Sequence, residues 1–387
     1  MNIVFVLGKY PGVGGVEKVT SILANRFCLD GHHVSIVAFD DSDKNSCNGD
    51  LLDERIAIYY LSSPVHKNEN VARLRSILSN DKAEIIINQW CVPFMVARMC
   101  RKAMKGMNCS LISVHHNLPN NNARIKDIEL RLEKGIGNRV LNRMKLAIVK
   151  AVSRASLRLS YDMSDSFVVL SERFFPMTED FIMKKNAKKL IAINNPLSID
   201  FPDHESPKDS NVIIYVGRIE YNQKRTFRVV DIWREREDRH PDWSMVIVGD
   251  GPDKSDLQSR IDNYGLKRIQ ITGFANPVPY YEKASVLLLT SEYEGFGLVI
   301  VEGMCHGVVP IVYGSYPAVF DIVDEGKNGF ITPMPYSQEA HCKLLEYLIS
   351  NPQRRNEMAS AAIEKAKSFS LASTVQKWYA LFSQLAS

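Results

Sequence analysis

Two carboxylates at a fixed spacing carry the clearest chemical signal in this chain. In the segment Thr290-Ser-Glu-Tyr-Glu294-Gly-Phe-Gly-Leu-Val-Ile-Val-Glu302-Gly-Met-Cys-His306-Gly-Val-Val-Pro310, seven residues separate Glu294 from Glu302. The apolar run 286–290 reads as a strand, and Gly295 and Gly297 loosen the turn into a helix beginning near Phe296 or Leu298. Glu294 then lies in the loop and Glu302 about one turn inside the helix. A carboxylate accepts two hydrogen bonds side by side, which suits the vicinal hydroxyls of a ribose or hexose. The first-turn amides of such a helix point at an anion. The plainer reading is a helix start whose acidic residues only favour its dipole.

A second segment, Tyr215-Val-Gly-Arg218-Ile-Glu-Tyr-Asn-Gln-Lys224-Arg225, follows the run 212–216. Arg218 as a planar fork and Lys224 as a point charge suit phosphate oxygens, unless both are simply solvated. Near the N-terminus, Gly8-Lys-Tyr-Pro-Gly12-Val-Gly14-Gly15-Val-Glu17 joins a first strand to a first helix. As a dinucleotide fingerprint it lacks its third glycine, whose place Glu17 takes, although Asp40 ends the second run where a ribose-binding acid would sit. Two further strand ends carry polar side chains. One is His115-His116-Asn117-Leu118-Pro119; the other is Asn88-Gln89-Trp90, with an aromatic face for a sugar or for the core. Asp41-Ser42-Asp43 imitates a metal clamp but sits in a polar acidic loop, and no phosphate-binding G-x-x-x-x-G-K-[ST] loop occurs.

The elements that must hold these groups follow a simple rhythm. Short Val- and Ile-rich runs at 3–8, 34–39, 56–61, 84–88, 110–114 and 166–170 alternate with helical stretches. A second series runs through 212–216, 245–248, 269–272, 286–290, 309–312 and 329–332. Such alternation predicts parallel strands joined by crossover helices and buried on both faces. The sequence is therefore expected to be α/β with two doubly wound domains. These are 1–197 and 198–370, with a hinge at Asn194-Asn195-Pro196-Leu197 and a polar linker at 200–211. Residues 371–387 form a helix with an apolar face, expected to pack back on the first domain. At 387 residues, with 45% apolar and 24% charged residues, the chain is long enough for two cores.

The Glu294–Glu302 segment resembles the Glu-x7-Glu motif of glycosyltransferase family four, and the order of the other segments agrees with that family over nearly the whole chain. The resemblance implies the GT-B fold, two Rossmann-like domains facing across a cleft, and transfer with retention of anomeric configuration. It implies that Glu294 contacts the donor sugar, that Glu302 holds the ribose, and that the backbone of Gly295, Phe296, Gly297 and Leu298 approaches the sugar or diphosphate. Arg218 and Lys224 match the pair that neutralises the diphosphate, and Gly14, Gly15 and Glu17 the loop near the donor phosphates. A His after the fifth strand touches the donor sugar; His115 fits better than His116, with the register open by one residue. His116 and Trp90 fall to the acceptor. The implied donor is a UDP-sugar, with a GDP-sugar second, and the implied acceptor is a glycan or lipid-linked glycan of polysaccharide biosynthesis. Metal and cofactor are expected to be absent. One departure, Gly303-Met-Cys-His306-Gly, is expected to affect helix packing only. A sugar-nucleotide 2-epimerase, a non-catalytic nucleotide-sugar binder and an NAD-dependent oxidoreductase are the rival readings.

A net charge of +4 is too small to suggest a nucleic-acid partner. The charge is unevenly spread, however: residues 124–158 alternate Lys and Arg with Ile, Leu, Val and Met, which predicts contact with an anionic membrane surface. The seven cysteines form no C-x-x-C pair, the first strand lacks the flanks of a signal peptide, and no apolar run approaches a membrane span. A cytoplasmic protein, peripheral on the inner face of the cell membrane, is expected.

Overall fold

The computed structural model describes residues 1–12, 14–39, 52–202 and 210–386. The chain forms two compact units. One comprises residues 1–198 and 372–387, the other residues 199–371. The first holds β1 (Asn2–Val6), β2 (His33–Ala38), β3 (Ala57–Tyr60), β4 (Ile85–Asn88), β5 (Ser110–His115), β6 (Ser166–Val169) and β7 (Leu190–Ala192) in the order β3-β2-β1-β4-β5-β6-β7. The second holds β8 (Val212–Val216), β9 (Ser244–Val248), β10 (Ile269–Gly273), β11 (Val286–Leu289), β12 (Val309–Tyr313) and β13 (Phe330–Thr332) in the order β10-β9-β8-β11-β12-β13. The named strands pair in parallel, as with Phe5 opposite Ile36 and Ile87, or Val286 opposite Val309 and Ile213.

The composition of the strands explains their place. Ile3, Val4, Phe5 and Val6 have no exposed surface, nor do Ile213, Ile214 and Tyr215, because helices cover both faces of each sheet. Each run expected to be a strand is one, within a residue or two at its ends. β7 is a further strand that was not expected: three residues in the stretch Lys189-Leu-Ile-Ala-Ile are too few to show a period, and pairing with β6 makes them a strand.

Strand order reverses beside β1 in the first unit and beside β8 in the second. At such a switch point the loops leaving the two central strands diverge to opposite faces and open a crevice at their carboxyl ends. In the first unit those are the loops after β1 and β4, and in the second the loops after β8 and β11.

The last helix, Leu371–Ala386, lies within the first unit against the helix Gly15–Leu29. Phe382 and Tyr379 meet Phe27 with ring centroids 5.5 and 5.7 Å apart, and the Tyr379 hydroxyl donates to Asp30. Asn194 donates to Thr374 Oγ1 at 2.9 Å and accepts from Lys377 at 2.6 Å. No described helix is long and apolar enough to cross a membrane.

Candidate functional site

In the second unit the two segments singled out by residue type fold against one another. The loop after β8 and the loop after β11 flank the switch point, and two hydrogen bonds join them: Glu292 N donates to Gln223 O at 2.7 Å, and the Gln223 side-chain Nε2 donates to Tyr293 O at 3.1 Å. Lys224 Nζ lies 2.5 Å from Glu294 Oε1, and both groups are largely buried. A close, shielded ion pair of this kind costs much more to break from one side than an exposed pair. Seventy positions of sequence are thus closed by one contact between the two residues assigned to donor binding.

Glu292, not singled out from the sequence, gathers two arginines of the β8 side onto the same β11 loop. Arg228 donates to it at 2.5 Å and to Thr290 O at 3.1 Å, while Arg225 Nε stands 3.3 Å from the same carboxylate. The Arg228 guanidinium lies 3.8 Å from the centre of the Tyr336 ring, so its plane is fixed by stacking as well as charge. Arg225 takes a positive φ of 49°, which few non-glycine residues do. Arg218 is exposed, and among the described residues no hydrogen bond or ion pair engages its guanidinium.

The helix entered from the β11 loop spans Leu298–Cys305, which puts Glu302 one turn inside it. Glu302 is buried and accepts from the Tyr281 hydroxyl at 3.1 Å, and burial beside that carboxylate raises the Tyr281 pKa well above its ordinary value. His306 is also buried, against Tyr281 and the Glu302 carbonyl, so the departure at 303–307 bears on packing. Gly297 caps the helix at φ 93°. A β-carbon there would come within 2.5 Å of the Tyr316 hydroxyl, so both conformation and space require glycine. Phe296 is buried edge-on to Phe369, Leu298 begins the helix, and Gly295 precedes them half-buried.

Tyr316 is the other residue that sequence reasoning missed, although its place just after β12 was a signal. It is 2% exposed, its hydroxyl has no hydrogen-bond partner among the described residues, and burial, with the Glu294 charge added, raises its pKa well above the ordinary value. The Ser291 hydroxyl, in the β11 loop, is buried and unpartnered too. Two orphaned hydroxyls beside one loop mark a place where polar partners are missing. A cavity of about 250 Å³ opens beside the β8 loop, lined by Glu220, Tyr221, Thr226, Asp253 and Arg260 among others; neither Glu294 nor Glu302 lines it.

In the first unit the same ends of the sheet gather the remaining candidates. Gly14 caps the helix Gly15–Leu29 in an ordinary extended conformation, and nothing lies within 4 Å of where a Gly15 β-carbon would be. Glu17, in the first turn, folds its carboxylate back over Gly14. Backbone geometry does not demand these glycines; Gly15 is open, while a β-carbon at Gly14 would meet the Glu17 carboxylate. Trp90 is half-buried: Gly8 lies against its ring, where a β-carbon would approach to 2.9 Å, and Phe39 meets it edge-on at 5.8 Å.

The two histidines differ from expectation. His115 ends β5, but its ring is buried with Nδ1 3.3 Å from Cys91 Sγ and Nε2 3.3 Å from Leu118 O. Both nitrogens are engaged, and burial lowers its pKa to about 4. His116 pairs Nε2 with Gln89 Oε1 at 2.5 Å and leaves Nδ1 without a partner, as Gln89 Nε2 is also left. Burial and the neighbouring His115 lower its pKa to about 3. The geometry therefore favours His116 over His115 as the ring with a nitrogen to offer. Asp40 and Asp41-Ser42-Asp43 lie outside the described residues, among which no group of three acidic, His or Cys side chains is placed to hold a metal.

Residues 198–365 match the family model of glycosyl transferases group 1. Over its full length the chain is 23% identical to a Campylobacter jejuni α-1,4-N-acetyl-D-galactosaminyltransferase whose name specifies an undecaprenol-linked acceptor, covering 100% of this chain and 99% of that protein. Among solved structures it is similar to Anabaena HepE in complex with UDP and glucose, with a TM-score of 0.74 and 17% identity over 99% of both chains. It is also similar to the pneumococcal O-GlcNAc transferase GtfA in complex with UDP and GlcNAc, with a TM-score of 0.75 and 14% identity over 100% of this chain and 99% of that one. These likenesses show the two-domain GT-B fold.

Proposed function

We propose that this protein is a retaining, metal-independent glycosyltransferase that moves a hexosyl group from a UDP-sugar to a glycan or lipid-linked glycan acceptor. The observation that supports the reading best is the Lys224–Glu294 pair, which joins a phosphate-suited cation to a hydroxyl-suited carboxylate at a sheet switch point. UDP in the complexes of HepE and GtfA, and the acceptor named for the Campylobacter relative, support the choice of donor and acceptor.

Without donor, Lys224 and Glu294 neutralise one another. When the donor enters, Lys224 turns with Arg218 to the diphosphate, and Glu294 is released to accept from sugar hydroxyls. Glu302 receives the ribose hydroxyls opposite its Tyr281 bond, and the Tyr316 hydroxyl, buried beside Gly297, donates to the ligand it lacks. In the first unit the open side of Gly15 admits ligand, and His116 takes the hydrogen-bonding role first given to His115. In the reaction the acceptor oxygen bonds to the anomeric carbon on the face from which UDP departs. The bond from that carbon to the phosphate oxygen breaks, and the acceptor proton passes to the departing phosphate. Cations and amides in place beforehand stabilise the charge that develops there, the work a metal does elsewhere.

The test combines binding with turnover. UDP at a hundred times its dissociation constant is expected to stabilise the protein by about 2.7 kcal/mol, with GDP and ADP doing less at equal concentration. Transfer from UDP-hexose is expected to persist in excess EDTA and to give an α-linked product from an α-linked donor by proton NMR. Interconversion of the donor sugar without acceptor would instead identify a 2-epimerase, and loss of transfer in EDTA restored by magnesium would overturn metal independence.

A further inference from the structure

The helix Arg139–Met163 carries a row of apolar side chains that nothing in the structure covers. Val140, Leu141, Met144, Ile148 and Val152 are each between 53% and 65% exposed. At about 100° per residue they fall in one band roughly 120° wide that runs for about 18 Å. A monomer rarely leaves so continuous an apolar row in water without a use for it.

The other side of the helix shows why the row stands free. Its buried residues are Asn142, Ser156, Leu157, Ser160 and Tyr161, so Asn142 is the one fully buried side chain of the first half among the described residues, and Lys150 ties that half to Glu129 of the helix Ala123–Glu133 at 2.8 Å. The second half is held by Ser160, which donates to Cys91 O, and by Ser156, which accepts from Phe94 N at 2.9 Å. At its start Asn138 accepts from Val140 N and Leu141 N, which keeps the first turn wound although little packs on it.

Charge decides what the row meets. Not every basic residue in 124–158 is available: Lys126 and Lys150 pair with Glu129, Arg131 pairs with Asp127, and Arg154 lies over Phe181. Arg139, Arg143 and Lys145 are exposed and make no ion pair among the described residues. At helical spacing Arg143 lies toward one flank of the apolar band and Lys145 borders the other, while Arg139 opens the helix on the far side. Between residues 139 and 161 the sequence has no acidic residue. Two copies meeting by this band would set cations against cations, whereas a layer of anionic headgroups over acyl chains satisfies both the charges and the apolar row.

We infer that the first half of the helix Arg139–Met163 lies in the interface of an anionic lipid bilayer, with Val140, Met144, Ile148 and Val152 entering the acyl boundary. This inference does not rest on the transferase reading. It also narrows the expected membrane contact from residues 124–158 to one helix face.

The test is flotation of the full chain with vesicles of phosphatidylcholine alone or with 30% phosphatidylglycerol. Binding is expected to be at least tenfold stronger on the anionic vesicles and to weaken with salt, since each engaged cation contributes about a fivefold factor near such a surface. The double variant Ile148→Ser with Val152→Ser keeps every charge and is expected to lose at least tenfold in binding at unchanged unfolding temperature. If it unfolds early, Arg143→Gln with Lys145→Gln gives an independent reading, again with at least a tenfold loss. Equal partitioning into both vesicles, or wild-type binding by a folded variant of either kind, overturns the inference. So does a dimer by light scattering that the apolar variant dissociates, because the occupant is then a second copy.

Discussion

At the scale of single residues, the distinction between Glu294 and Glu302 is the one that experiment reaches most directly. Both are buried, yet Glu294 faces a cation from another loop while Glu302 accepts from Tyr281 on the helix side. If Glu302 holds the ribose before and during reaction alike, Glu302→Ala weakens free UDP and UDP-sugar together, by roughly 1.5–3 kcal/mol for a charged hydrogen bond. If Glu294 holds the reacting hexose, Glu294→Gln binds free UDP nearly as wild type by calorimetry while transfer falls at least about a hundredfold, through lost orientation. Equal loss of UDP affinity in both variants would show that the roles are not separate. The two carboxylates and their spacing were legible in the sequence. Their partners were not, because Lys224 reaches Glu294 from the loop after β8 and Tyr281 reaches Glu302 from the helix Val278–Lys283, and no local pattern encodes which cation turns inward.

At the scale of elements, the junction between β11 and the helix Leu298–Cys305 is built around one hydroxyl. Gly297 at φ 93° leaves room for Tyr316, whose hydroxyl is buried without a partner. A buried donor left unsatisfied costs about 1–3 kcal/mol. Tyr316→Phe is therefore expected to unfold at the same or a higher temperature than wild type when free, and to gain less from UDP-sugar in the same thermal scan. A lower unfolding temperature without ligand would show that the hydroxyl already has a partner, such as an ordered water. The strand-loop-helix order of this junction follows from an apolar run, two glycines and an apolar helix. The tyrosine that fits against Gly297 comes from the next strand end, and only the side-by-side packing of β11 and β12 brings it there.

At the scale of the whole molecule, buried neutral histidines tie stability to pH. Burial lowers the pKa values of His115, His116 and His341 to about 4, 3 and 4, below the ordinary 6.5. Below pH 6.5 the unfolded chain binds protons that the folded chain refuses. The stabilisation these rings contribute is thus complete above about pH 6.5 and lost as pH falls toward 4. The unfolding temperature is expected to drop across that window, and His116→Gln to flatten the drop; an unchanged slope in that variant would count against a neutral buried ring. The sequence by itself determined the two doubly wound sheets, since runs of Val and Ile broken by helical stretches can be buried in few other ways. It also determined that polar residues cluster at strand ends, where backbone must turn and glycines mark the turns. Tertiary structure alone decided that His115 is sealed while His116 keeps a free nitrogen, that Trp90 lies under Gly8, and that Lys224 closes on Glu294. Those outcomes depend on contacts between residues far apart in the chain, and a residue's type and spacing say what it can bind but not which neighbour reaches it first.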